Sequence, residues 1–160
     1  MTASPSHTIV IGVGNEYRGD DGAGIAVARL LLLRVPADVR VIEQSGEGTS
    51  LLDAWHGATS VILVDAIQSG AEPGTIHCFD ASENALPSGV FPCSTHAFGV
   101  AEAIEMARAL RELPPHLIVY GIEGETFADA QGLSPAVQRA VAEVAKRIAG
   151  KIETASNFPS

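Results

Sequence analysis

Four near-continuous apolar runs, at residues 8–11, 39–42, 61–64 and 117–120, are rich in Val and Ile and bounded by Gly or polar residues. Such runs predict strands covered on both faces, as in a parallel sheet. A fifth stretch, 75–79, sets Ile76 and Cys78 against His77 and suits an edge or antiparallel strand. Between the runs, apolar residues recur at helical spacing. One helix is expected over 25–33 through Ala26, Leu30 and Leu33, with Pro36 to end it. Thr49 or Ser50 would open a short helix over Leu51, Leu52 and Trp55. Ser94 or Thr95 would open a third through Ala97, Ala101, Ile104 and Leu110. Ser134-Pro135 is a strong helix start, followed by Val137, Val141, Val144 and Ile148 in a stripe that reaches Gly150. The alternation of strand and helix predicts an α/β fold, a three-layer αβα sandwich on a mostly parallel sheet. One domain is expected over 1–150, with a frayed tail at 151–160 and a long functional loop at 82–95.

Composition narrows the chemistry. A chain of 160 residues, 46% of them hydrophobic, is long enough for one proper core. Its net charge of −9 leaves no basic stripe for nucleic acid, while a polypeptide with a basic segment would be attracted. No run is long enough to span a bilayer, and residues 1–7 lack the pattern of a signal peptide. With only Cys78 and Cys93, no disulfide framework is expected and a reducing cytoplasm is the default.

The segment GVGNEYRGDDGAG, residues 12–24, follows the first predicted strand and leads into the first helix. That is the setting of a dinucleotide-binding loop, yet Tyr17 stands where the third glycine belongs. The pair Asp20-Asp21 would repel a pyrophosphate and attract a cation. Ligands of open α/β sheets bind outside the carboxyl ends of the strands. Asp20, Asp21, Glu43, Asp65 and Glu123 all fall there, and His96 precedes a helix expected to start on the same rim. Asp21, Asp65 and His96 would make a divalent metal site with open positions. Plainer readings stand beside this one. Asp20 or Asp21 would cap the first helix, Asp65 would cap a turn over 66–70, and His96 would be an ordinary first-turn residue. Cys93 and His96 have the spacing of half a zinc site with no second half, and are poorly placed as nucleophile and base.

Four segments together carry a resemblance to a known family. They are GVGNEYRGDDGAG, ILVDAIQSG (62–70), STHAFG (94–99), and YGIEG (120–124) followed by GLSPAV (132–137). In this order the chain resembles the [NiFe]-hydrogenase maturation proteases, endopeptidases that trim the C-terminus of the hydrogenase large subunit. The resemblance implies a sandwich around a twisted five-stranded sheet, with Asp21, Asp65 and His96 as the catalytic, metal-facing trio. Glu43 and Glu123 are then candidates for reading the substrate. It also implies that nickel arrives with the substrate, a nickel-loaded large-subunit precursor cut after a basic or histidine residue. Members are often classed as aspartic peptidases. A monomer meeting its precursor one to one is expected. Two other functions remain open: a nickel checkpoint that binds without cutting, and a nucleotide-binding oxidoreductase.

Overall fold

The structure, a computed structural model, describes residues 8–87, 89–91 and 98–156. Five strands, β1 (Thr8–Val13), β2 (Arg40–Gln44), β3 (Ser60–Ile67), β4 (Ile76–Asp80) and β5 (His116–Glu123), form one sheet in the order β2-β1-β3-β5-β4. All neighbours pair parallel except β4, which runs antiparallel to β5 at the edge. Four helices complete the fold: α1 (Ala23–Leu31), α2 (Gly48–Trp55), α3 (Val100–Ala109) and α4 (Pro135–Ser156). This is the three-layer architecture and mostly parallel sheet that the alternating pattern predicts.

Strand residues alternate between two cores, as the pleat requires. Val10, Ile62, Val64, Tyr120 and Ile122 pack with α1 and α4. Ile9, Ile11, Leu63, Leu117 and Val119 pack with α2 and α3. Burial on both faces explains why the central strands read as unbroken apolar runs.

Several expectations are corrected by packing. The buried residues of α1 are Ala23, Gly24, Ile25, Val27, Ala28 and Leu31, whereas Leu30 and Leu33 are exposed. Where the helix starts it comes so close to the sheet that small residues, Ala23, Gly24 and Ala28, join Val27 and Leu31 on the inward face. A Cβ on Gly24 would lie 2.3 Å from the Val64 carbonyl oxygen and 2.4 Å from that of Val13. The cap of α2 is Glu47, whose carboxylate accepts from the amides of Thr49 and Ser50, both at 2.9 Å. Those bonds hold its carboxyl down to about 2. The proposed openers of α3, Ser94 and Thr95, lie outside the described residues; α3 begins at Val100 and buries Val100, Ala103, Ile104 and Ala107. Leu110 lies past its end and is exposed. The tail is not frayed from 151: α4 continues to Ser156, with Ile152 in the core beside α1 and the sheet. Among the described residues, no helix is long and apolar enough to cross a membrane.

Candidate functional site

The start of α1 packs against the carboxyl ends of β1 and β3, with Gly24 against the carbonyls of Val13 and Val64, and the turn between β1 and α1 lies at that rim. After β1, Asn15 forms a local turn in which its side-chain oxygen accepts from the Tyr17 amide (2.9 Å). A single 3-10 turn over Gly19–Gly22 then runs straight into α1. Gly14 is required here twice over: its φ is +146°, and a Cβ would sit 1.9 Å from the Asp21 carbonyl oxygen. The Asn15 amide donates to Asp21 Oδ2 at 3.1 Å. Loop glycines and Asn15 thus set the position of Asp21.

Asp65 belongs to β3 itself, opposite Gly121 of β5, in the alternating row of Val61 and Leu63. It is 7% exposed, and its Oδ1 accepts from the next amide, that of Ala66, at 2.8 Å. It does not cap a turn, because the strand continues to Ile67. Burial pushes its carboxyl well above the usual carboxylate range, and the negative charge of Asp21 pushes in the same direction. Burial also raises Asp21, against the opposing pull of Arg18 and the Asn15 amide. The two aspartates that the sequence singles out are therefore electrostatic neighbours on one rim, where the charge of Asp21 disfavours a second charge on Asp65.

His96, the third expected member, lies outside the described residues, as does Cys93. The described residues on either side are tied to this rim. The Val90 carbonyl accepts from the Gln68 amide just beyond β3 (2.8 Å), and the Phe98 carbonyl accepts from Gly48 at the start of α2 (2.8 Å). Among the described residues, no three His, Cys, Asp or Glu side chains come together as a metal cluster.

The neighbouring acids have other partners. Asp20 caps neither the 3-10 turn nor α1; it is wholly buried and bonds to the segment before α4. Glu43 holds Arg29 through both carboxylate oxygens (3.1 and 3.2 Å), and Glu16 takes the same guanidinium at 2.6 Å. Glu123 is the last residue of β5 and 1% exposed, with its oxygens accepting from the Ser69 amide (2.8 Å) and hydroxyl (2.5 Å). Its described bonds are thus internal, closing the turn after β3. Beside the Asp21 loop opens a groove of ≈ 390 Å³, lined by Glu16, Gly22, Ile25, Leu30, Leu133 and Val141 among others. Sequence reasoning missed Asn15 and the Asp20 bonds; only Asn15, a common turn former, carried a local signal.

Comparisons with known proteins agree on one family and one fold. The hydrogenase maturation protease family (HycI) matches residues 26–151. The chain is 27% identical to hydrogenase expression/formation protein HupM of Azotobacter chroococcum, over 92% of this chain and 76% of that one. It is 31% identical to a Methanocaldococcus jannaschii protein assigned to the hydrogenase maturation proteases, over 91% and 96% of the two chains. Among solved structures, the hydrogenase maturating endopeptidase HybD of E. coli superposes with a TM-score of 0.76 at 23% identity, covering 93% of each chain. The [NiFe] hydrogenase maturation protease HybD of Thermococcus kodakarensis gives 0.72 at 26% identity, covering 91% of this chain and 98% of its own. With a family match over most of its length and a fold shared with these enzymes, this chain belongs to the hydrogenase maturation protease family.

Proposed function

We propose that this protein is an endopeptidase that removes the C-terminal extension of a [NiFe]-hydrogenase large-subunit precursor after nickel has been inserted. Asp21, Asp65 and His96 face the nickel that the precursor carries, and the groove beside the Asp21 loop accommodates the chain near the cut. The observation that carries this reading is the meeting of two carboxyls at one rim, Asp21 on the turn after β1 and Asp65 near the end of β3, where burial disfavours the charge of each. A divalent cation brought between them offsets that cost of ionisation, so the empty precursor gains nothing and the loaded one is favoured. The anchoring of Val90 and Phe98 at the same rim supports the addition of His96 to the pair.

Peptide hydrolysis needs a base for the attacking water and an acid for the departing amine. Two interacting carboxyls with displaced pKa values provide both forms. Asp21 and Asp65, whose ionisation burial disfavours, are the groups proposed for these two roles. The substrate's nickel fixes the scissile region against them, which turns a bimolecular encounter into an oriented one. The enzyme works as a monomer in the cytoplasm and holds no nickel of its own.

The test is incubation of the purified protein with nickel-loaded and nickel-free precursor, read by mass spectrometry. Loss of the C-terminal peptide from the loaded form alone is expected. An unchanged mass in both would overturn the protease reading in favour of a binding checkpoint. The variants Asp21→Ala and His96→Ala should fold normally and lose at least about 100-fold in rate, the scale for removing a group that stabilises the reacting centre.

A further inference from the structure

The Asp20 carboxylate accepts four hydrogen bonds from residues more than a hundred positions away. Its Oδ2 takes the amides of Glu125 (2.7 Å) and Thr126 (3.1 Å) and the Ser134 hydroxyl (2.9 Å), and its Oδ1 takes the Ser134 amide (2.8 Å). The backbone repeats the clasp: the Gly19 amide donates to Ala130 and the Asp20 amide to Thr126, at 2.7 and 2.8 Å. The clasped segment is itself fastened to β3, since the Gly124 amide donates to the Ile67 carbonyl at 3.0 Å. A short chain of bonds therefore runs from β3, two residues beyond Asp65, through Gly124 and Glu125 to Asp20, next to Asp21. Asp20 is wholly buried, and these four bonds are the described partners of its carboxylate.

Asp21 stands on a turn packed against β3 and Asp65 on β3 itself, so the spacing of the two carboxyls depends on how that turn is held. The turn bearing Asp21 is short, and one of its flanks is the glycine-rich run after β1. The geometry points to Asp20 as the positioning residue of this site, holding the Asp21 turn against β3 so that both carboxylates are in place before the precursor's nickel arrives. This inference rests on the reading of Asp21 and Asp65 as the nickel-facing pair. Asp20 touches neither substrate nor nickel; it acts through Asp21.

The experiment compares wild type with Asp20→Asn, Ser134→Ala, Asp21→Ala and the remote core variant Ile148→Val, all well below their melting temperatures. Cleavage of nickel-loaded precursor is followed for kcat and KM, and amide exchange is followed at Asn15, whose amide donates to Asp21. Asp20→Asn keeps the size but turns an amino group toward a donor. Its kcat should fall about 10–100-fold with KM within about two-fold, the cost of a misplaced catalytic group. Asn15 exchange should accelerate about ten-fold or more. Ser134→Ala, which loses one bond of the four, should lower kcat by about three- to ten-fold. Ile148→Val should change neither kcat nor Asn15 exchange. Wild-type kcat in folded Asp20→Asn, beside an inactive Asp21→Ala, would overturn the positioning role alone. Should Asp20→Asn not fold, wild-type kcat in Ser134→Ala does the same. Full activity in Asp21→Ala would instead remove the underlying site reading.

Discussion

Burial and the Asp21 charge act on Asp65 in one direction, and that direction has consequences for stability. A carboxyl raised in the folded state binds more protons there than in the unfolded chain, so stability falls as pH rises from the ordinary carboxylate value through the raised one. The penalty is complete at neutral pH if the raised value lies below it, and partial otherwise. Asp65→Asn removes the ionisation while an amide oxygen can still accept from Ala66. It should be more stable than wild type at pH 7 by about 1 kcal/mol, a gain common when a strained functional group is neutralised. That would read as about 2–4 °C in a thermal melt. The same variant should lose precursor cleavage, and its melting temperature should lack the wild-type decline above about pH 4. Equal melting curves across pH would show that Asp65 carries no such burden. Asp20 has the opposite sign: its carboxyl is lowered, so its contribution is present above the ordinary value and is lost as pH falls through the folded one.

Among the elements, α1 shows how a helix can be legible in the sequence and its face illegible. The strands could be read because β-branched runs buried on both sides leave no other assignment. Ser134-Pro135 likewise marked the start of α4. For α1, however, Leu30 and Leu33 suggested the wrong face, because Gly24 and Ala28 allow the helix to touch the backbone of β1 and β3. Only the neighbouring carbonyls make that close approach necessary, and one of them, that of Val64, comes from a strand about forty residues on. Gly24→Ala should therefore cost about 1–3 kcal/mol, the range for overpacking against atoms that cannot give way, and displace the Asp21 turn with it. Gly150 is the counterpart. It suggested a helix end, yet it lies inside α4 with nothing within 4 Å of a built Cβ. Gly150→Ala should raise stability by about 0.5–1 kcal/mol, as expected for alanine replacing glycine in a helix. Paired thermal melts test both; a stabilised Gly24→Ala would contradict the packing account.

The whole molecule adds what neither a residue nor a helix can. Asp21 and Asp65 were legible because each follows an apolar run at the rim where parallel sheets bind ligands. The Asp20 clasp was not, since its partners are 105 to 114 residues away and no local pattern announces them. Charge is the remaining global property. The chain carries 19 acidic against 10 basic residues, and among the basic ones Arg29, Arg108 and Arg147 are paired with glutamates. Glu16 and Glu43 flank Arg29 near the Asp21 loop, so this edge keeps an excess of negative charge. Such a field steers a basic substrate segment toward the site and is screened over about 10 Å at 0.1 M salt. Raising sodium chloride from about 0.05 to about 0.5 M should therefore lower kcat/KM for the precursor several-fold, with kcat nearly unchanged, because steering acts on encounter rather than on the bound complex. A loss confined to kcat would place the salt sensitivity at the Asp21–Asp65 pair itself. A flat kcat/KM would mean that the precursor is held by apolar contact along the groove beside the Asp21 loop, with its charge playing no part in recognition.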